Sequence, residues 1–231
     1  MKKLFTILNI VIAEIVVMLT MLYSEFSGVG LKAACSITFV VLGIVNLVYA
    51  ILNKSDNLKF VIYFVVALTI AMVGDIVLWF DFVVGAAIFA VGHVFYFVAY
   101  CVLEKFHWKN LIVSACIFVP AALVILLYPK FDFGGILMQV VCLVYALIIS
   151  LMLGKAISNV IKNYTSTNII IALGSFLFFF SDLMLLFFYF GGHNLIADIL
   201  CLASYYTAQP LLAFSIFHFE NSKTEQENKT E

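Results

Sequence analysis

Two aspartates lie in similar apolar surroundings, and a pair of carboxyl groups is suited to acid–base chemistry. Asp75 follows Gly74, and Asp182 follows Ser181, each within an apolar run long enough to cross a membrane. A carboxylate near the middle of a membrane-spanning helix costs about 2.5–3.5 kcal/mol on insertion scales, so it is rarely found there without a role. This pair is therefore the first candidate for a functional site.

A second group of candidate residues, with aromatic and polar side chains, follows Asp75 along the chain. Phe89, His93, Tyr96 and Tyr100 recur at a spacing that places them on one face of a helix. Both ring nitrogens of a histidine need partners at this depth. A hydrogen bond that only joins two helices would satisfy His93 as well as a role in a site would.

Polar residues also occur in the first and last apolar runs. Tyr205 and Gln209 share a helix face, and Pro210 would kink that helix, either for packing or to line a pocket. Glu14 lies near the middle of the first run. It could pair with Lys32 or belong to the site, and Lys32 could instead reach the membrane surface without a function.

Two interpretations of the aspartates follow. Each could be a structural acid that accepts hydrogen bonds from serine, tyrosine or backbone groups. Their matching contexts, with histidine, tyrosine, glutamine and glutamate at comparable depth, favour one shared polar pocket.

The elements that must position these residues are transmembrane helices. The chain of 231 residues is 65% hydrophobic and 11% charged, whereas soluble domains are about 45–50% apolar and about 25% charged. The apolar residues form blocks of about 20, the length that crosses a hydrocarbon core of about 30 Å. We predict an all-α membrane protein with eight transmembrane helices, at 4–22, 33–52, 60–80, 82–103, 111–127, 134–153, 169–190 and 195–217.

The lysines predict the orientation of the chain. Ten of the twelve lie at the N-terminus, in alternate connections or in the C-terminal tail, and only Lys32 and Lys130 lie on the opposite side. The positive-inside rule then places both termini in the cytoplasm. Composition favours a bacterial inner (cell) membrane. The absence of arginine and of a basic patch argues against nucleic acid binding.

The two aspartates also suggest an internal repeat. They are 107 residues apart, in the third and seventh predicted spans. Two four-helix halves with the same orientation would place them in equivalent positions, as in some transporters. We assign residues 1–219 to a single eight-span domain and residues 220–231 to a short polar cytoplasmic tail that is expected to be disordered.

The five cysteines show no spacing typical of metal ligands and are expected to be buried free thiols. We expect no metal and no cofactor.

The order of these motifs resembles the YhhN/lysoplasmalogenase family. Gly74-Asp75, Gly85-x3-Phe89-x3-His93-x2-Tyr96, Ser181-Asp182 and Tyr205-x3-Gln209 occur in that order, and the resemblance extends over spans 2 to 8. In that family the second span often opens with Lys-Pro, whereas this chain has Lys32-Ala33, which leaves the role of Lys32 open.

The resemblance implies hydrolysis of the vinyl ether bond of lysoplasmalogens, with a lysophospholipid and water as substrates and membrane lipids as surroundings. The products would be a fatty aldehyde and glycerophosphocholine or glycerophosphoethanolamine. Asp75 and Asp182 would be catalytic. Supporting or substrate-binding roles would fall to Glu14, Lys32, His93, Tyr96, Ser181, Tyr205 and Gln209.

Vinyl ethers are labile to acid, so one carboxylic acid beside one carboxylate would suffice for this reaction, as in glycosidases. The sequence does not assign the two roles. The main alternative is a small proton-coupled transporter that uses the same acids. A non-catalytic lipid-binding or structural protein is a third hypothesis.

Overall fold

The protein consists of eight long helices, as the sequence predicts. The structure is a computed structural model that describes residues 1–230, with side chains through Ser222. Each helix is long and apolar enough to cross a membrane, and the described part of the chain contains no strand. The helices are α1 (Lys2–Phe26), α2 (Val29–Leu52), α3 (Leu58–Leu78), α4 (Phe82–Leu103), α5 (Lys109–Leu127), α6 (Ile136–Lys162), α7 (Ser166–Phe190) and α8 (Leu195–Thr230).

The largest differences from the predicted spans occur at helix ends. α6 begins two residues late, because Gly134 and Gly135 adopt positive φ angles of 64° and 155° that a helix cannot include. It then continues past the apolar run to Lys162. The backbone of α8 extends into the polar tail 220–231, but the side chains after Ser222 and all of Glu231 lie outside the described residues. The expected disorder of this tail stays a prediction.

The turn between α7 and α8 is tight. Gly191 to Asn194 separate the two helices, with positive φ at Gly192 (90°) and His193 (54°). The turn between α3 and α4 is one residue shorter. The Asp81 side chain caps α4 by accepting a hydrogen bond from the Val84 N–H at 2.9 Å. Both turns hold consecutive helices antiparallel and in close contact.

Six helices form a closed ring, and two lie outside it. Around the ring, α2, α3, α4, α6, α7 and α8 each pack against the next, and α8 returns to α2. α1 packs on α2 and α8, whereas α5 packs along α6. These outer helices bury the smallest share of their surface among the eight spans.

The packing pattern supports two co-oriented halves. Exchanging helices α1–α4 with α5–α8 converts the α2·α3 contact into α6·α7 and the α2·α8 contact into α4·α6, and all four contacts are present. A pseudo-two-fold axis along the membrane normal would produce this pattern. It would relate α3, which carries Asp75, to α7, which carries Asp182. The outer helices break the pattern, because α1 packs on α8 whereas α5 does not pack comparably on α4.

Two glycines bring α4 close to α3 beside Asp75. A Cβ atom at Gly85 would lie 2.6 Å from the Leu78 Cα, so no other residue fits there without moving the backbone. A Cβ atom at Gly74 would lie 3.1 Å from the Phe89 ring. The small residue before Asp75 therefore lets the Phe89 ring pack next to that acid.

The end of α4 that the lysine distribution predicts to be cytoplasmic is joined to the end of α6. Glu104 accepts hydrogen bonds from Lys162 Nζ at 2.6 Å and from Asn163 Nδ2 at 2.5 Å. The Lys162 hydrogen bond is the main reason that the pKa of Glu104 lies below its ordinary value. The Glu104 carboxylate therefore stabilises the folded protein at pH values above the ordinary glutamate pKa. This stabilisation is lost as the pH falls through the lowered pKa of Glu104.

Candidate functional site

A polar cavity of about 360 Å³ contains both aspartates. It lies at the ends of the helices joined by the α1–α2, α3–α4 and α7–α8 turns, the side that the lysine distribution predicts to face away from the cytoplasm. Asp75 and Asp182 reach it from different helices, and α3 and α7 do not pack closely against each other. The cavity, rather than a helix contact, brings the two acids into one site.

Asp75 is held by three donors, one of them a cation. Its Oδ1 lies 3.1 Å from Lys32 Nζ, and both side chains are largely buried. Its Oδ2 accepts hydrogen bonds from Ser36 Oγ at 2.5 Å and Tyr206 Oη at 2.7 Å.

Asp182 has a different environment. Tyr145 Oη donates a hydrogen bond to its Oδ2 at 2.5 Å. His93 Nε2 lies 3.1 Å from the same Oδ2 and 2.9 Å from Tyr145 Oη, so three polar atoms form a compact triangle. All described contacts of the carboxyl group involve Oδ2, while the residue itself lines the cavity.

The tautomer of His93 follows from its contacts. The ring is fully buried, and its Nδ1 has no hydrogen-bond partner among the described residues. A proton on Nδ1 would be a buried donor without an acceptor, which is costly. The contacts therefore favour the tautomer with its proton on Nε2, which donates into the Asp182–Tyr145 pair. Asp182 thus has a hydroxyl and an imidazole as partners, where Asp75 has the Lys32 ammonium group.

The two acids receive their partners from equivalent helices of the two halves. Each receives a hydroxyl from the helix that precedes its own in the chain: Ser36 on α2 for Asp75, and Tyr145 on α6 for Asp182. Each also contacts a side chain from the last helix of the other half, Tyr206 on α8 or His93 on α4. The pseudo-two-fold relation therefore extends to the site, but with a lysine added on one side only.

Of the residues singled out from the sequence, the cavity brings together the two acids and three more. Lys32, Ser181 and Tyr205 line it. Lys32 is paired with Asp75 and buried, so neither a pair with Glu14 nor an extended, surface-seeking side chain describes it. Tyr205 also donates a hydrogen bond to the Ala71 carbonyl at 3.2 Å.

The other four residues lie outside the lining. His93 is behind Asp182, as described above. Tyr96 Oη donates to Gln209 Oε1 at 2.9 Å in a fully buried pair that joins α4 to α8. Glu14 is exposed on α1 and does not reach the cavity.

Sequence reasoning missed Ser36 and Tyr145 and gave Tyr206 no role. Ser36 lies one helical turn after Lys32, so a search for partners along that face of α2 could have found it. Tyr145 stands alone in its apolar run, and no local signal marks it. Asp198 also lines the cavity, close to the start of α8.

Within the part of the chain that the structure describes, no group of three or more His, Cys, Asp or Glu residues is placed to hold a metal ion. The five cysteines are free thiols, but the expectation that all are buried is wrong, because Cys101 is half-buried and Cys116 is exposed. Cys201 Sγ lies 3.9 Å from Ser181 Oγ at the cavity wall.

Comparison with known proteins gives one match. The family model of the YhhN family matches residues 35–216, which begin within α2 and end within α8. The match includes both aspartates and all of their hydrogen-bond partners except Lys32. No curated protein and no solved structure matches the chain significantly.

Proposed function

Because the chain belongs to the YhhN family, we propose that it is a membrane-embedded hydrolase that cleaves the vinyl ether bond of lysoplasmalogens. The products are a fatty aldehyde and the corresponding glycerophospho-base. The observation that carries the proposal is the contrast between two acids in one cavity, one held by a cation and one by neutral donors.

Vinyl ether hydrolysis requires a proton at carbon. The slow step is protonation of the alkene carbon remote from oxygen, which produces an oxocarbenium ion. Water then adds to the carbon next to oxygen, and the hemiacetal collapses to aldehyde and alcohol. A catalyst therefore needs a protonated acid within reach of the alkene and a negative charge beside the cation.

Asp182 supplies the acid in this proposal. Its Oδ2 accepts hydrogen bonds from Tyr145 and from the neutral His93 ring, as the carbonyl oxygen of a carboxylic acid does. The proton then resides on Oδ1, which has no hydrogen bond among the described residues. No lysine contacts this carboxyl group among the described residues, in contrast to Asp75.

Asp75 supplies the carboxylate. The Lys32, Ser36 and Tyr206 donors stabilise its negative charge without removing it from the cavity wall. In that state it can stabilise the oxocarbenium ion and accept a proton from the attacking water. The division of roles matches that of an inverting glycosidase, where an acid and a base act from two sides of the reacting carbon.

The proton balance closes over one turnover. Asp182 transfers its proton to carbon and becomes a carboxylate, and water adds while Asp75 takes one of its protons. As the hemiacetal collapses, Asp75 returns that proton to the departing glycerol oxygen. The hemiacetal hydroxyl gives its proton to Asp182, which restores both acids to their starting states.

The cavity suits the polar part of the substrate. At about 360 Å³ it falls in the size range of small-ligand sites. Lys32, Tyr23 and Tyr205 are among the residues that line it. These groups would position the glycerophospho head group while the vinyl ether lies between the two acids.

The structure offers less support for a transporter. Alternating access commonly uses discontinuous helices at the binding site. α3 and α7 run unbroken past Asp75 and Asp182, and the helix-internal prolines are Pro120 in α5 and Pro210 in α8.

The direct test is aldehyde release by the purified protein. Lysoplasmalogens with choline and ethanolamine head groups should yield aldehyde, whereas the saturated 1-O-alkyl and the 1-acyl lysolipids should remain intact. The saturated ether has no alkene carbon to protonate, and the acyl ester has none either. Release of fatty acid from the acyl lipid without aldehyde from the vinyl ether would replace the proposal with an esterase.

A further inference from the structure

An apolar slot adjoins the polar cavity on the far side of Asp182. It lies between α4, α5, α6 and α7, and its walls are almost entirely hydrocarbon. Phe89, Asp182 and Leu185 line both spaces, so the two meet at the reacting acid. The slot is narrow, with about 60 Å³ of free volume.

Small side chains open this slot. Ala86, Ala121 and Ala146 come from three different helices and occupy positions where a larger residue would fill it. Ala121 and Ala146 are buried, so the space is internal to the protein and not part of its lipid-facing surface.

The slot continues into a groove that opens toward lipid. α5 packs along α6 and makes no comparable contact with α7, which leaves a gap between α5 and α7. Ala121, Phe179 and Leu183 line both the slot and the first stretch of this gap, of about 260 Å³. Val124 joins it to a second stretch of about 330 Å³ near Phe187 and Pro129.

The groove leads to the same end of the bundle as the polar cavity. Pro129 follows the end of α5, and Phe187 lies near the end of α7, the end at which Ser27 and Trp79 border the cavity. A molecule with a polar head and one apolar chain could therefore occupy both spaces while lying in a single leaflet.

We infer that the slot and the α5–α7 groove form the binding site and lateral path for the hydrocarbon chain of a single-chain lipid. This inference rests on the proposed function. The continuity of the slot with the cavity at Asp182 identifies the occupant, because a chain in the slot and a head group in the cavity place their junction beside that acid. In a vinyl ether lysolipid, the junction is the reacting bond.

The slot would determine the position of the bound lipid more than its binding affinity. The chain leaves one apolar medium for another when it moves from the bilayer, so burial adds little binding free energy. Walls that fit one chain instead fix how far the lipid can advance. This fixes the distance between the alkene carbon and Asp182, on which proton transfer depends.

Ala121→Phe tests the inference through chain length. The phenyl ring would block the junction of slot and groove, so kcat/KM for a hexadecenyl lysolipid should fall about 10²-fold, as expected for a misplaced reacting group. The variant should hydrolyse a butenyl substrate, whose chain is too short to reach the ring, with the same kcat/KM as the wild type. Ala115→Phe, on an exposed face of the same helix, is the matched control and should leave both rates unchanged.

A binding measurement separates this inference from the proposed function. A saturated 1-O-alkyl lysolipid with a diazirine at the chain end cannot be hydrolysed, and its photolabel should map to residues 117–124 of α5 or 179–187 of α7. That label decides the inference even if Ala121→Phe does not fold. Labelling confined to other helices would overturn the inference. So would an equal loss of kcat/KM for both chain lengths in folded Ala121→Phe. In either case, aldehyde release by the wild-type protein would still support the proposed function. Absence of aldehyde from wild-type protein would refute the function, and the label would still report the site of the chain.

Discussion

Asp182→Asn is expected to lower kcat for aldehyde release by about 10²–10⁴-fold, the usual contribution of a general acid. The asparagine carbonyl can still accept hydrogen bonds from Tyr145 and His93, so the local structure should persist. The amide has no proton that it can transfer to carbon. KM should change little, because the head group and chain contact other parts of the site.

The control for this variant is Asp132→Asn. Asp132 is exposed in the α5–α6 connection, where its Oδ1 accepts a hydrogen bond from the Gly134 N–H, and an asparagine can accept the same bond. Its turnover should equal that of the wild type. Both variants should elute as the wild type does in size-exclusion chromatography. Wild-type turnover by folded Asp182→Asn would remove Asp182 from the role of acid.

Lys32→Met is expected to cost about 3–5 kcal/mol of unfolding free energy, because it leaves Asp75 as a buried carboxylate without its cation. Methionine keeps much of the volume of the lysine stem, so lost packing contributes little. Chemical denaturation in detergent measures the change.

The double variant Lys32→Met/Asp75→Asn distinguishes the ion pair from other causes. With both charges removed, most of the lost stability should return, since an uncharged pair of similar shape has no desolvation penalty left to offset. Turnover should not return, because the carboxylate is gone. A double variant as unstable as Lys32→Met would show that the lysine stabilises the fold through contacts other than Asp75.

The membrane spans could be predicted because hydropathy and length determine them directly. Asp75, Asp182 and His93 were visible for the same reason: a polar group in apolar sequence stands out. The helix face of Phe89, His93, Tyr96 and Tyr100 is also confirmed, and all four residues are buried.

The partners of the two acids could not be predicted in the same way. Ser36 and Tyr145 lie 39 and 37 residues before the acid that each contacts, and Tyr206 lies 131 residues after Asp75. Their identity depends on which helices are neighbours in the ring and how each is rotated, and periodicity within one helix contains neither fact. The same limit explains why the sequence suggested a role for Glu14. Its depth in the first span is visible in the sequence, but the position of α1 outside the ring is not.

The apolar slot was equally invisible in the sequence. Ala86, Ala121 and Ala146 are unremarkable in apolar helices, and they form a space only because four helices converge on them. The gap beside α7 exists because α5 packs mainly on α6. Empty volume is a property of the assembled bundle, so no local pattern reports it.

The structure also changes the meaning of the aspartate pair. The sequence suggested two equivalent acids whose roles could not be assigned. Their surroundings are related by the pseudo-two-fold pattern, but only Asp75 has a lysine. This one added cation distinguishes the surroundings of two otherwise similar groups, and it is the basis on which we propose different roles for them.

The most direct test is hydrolysis of a lysoplasmalogen by the purified wild-type protein in D₂O, with the aldehyde trapped as it forms and analysed by mass spectrometry. Proton transfer to carbon predicts one deuterium on the carbon next to the aldehyde group. Authentic aldehyde carried through the same incubation corrects for exchange with solvent. Enzymatic aldehyde that lacks this deuterium, or no aldehyde at all, would contradict acid-catalysed cleavage of the vinyl ether.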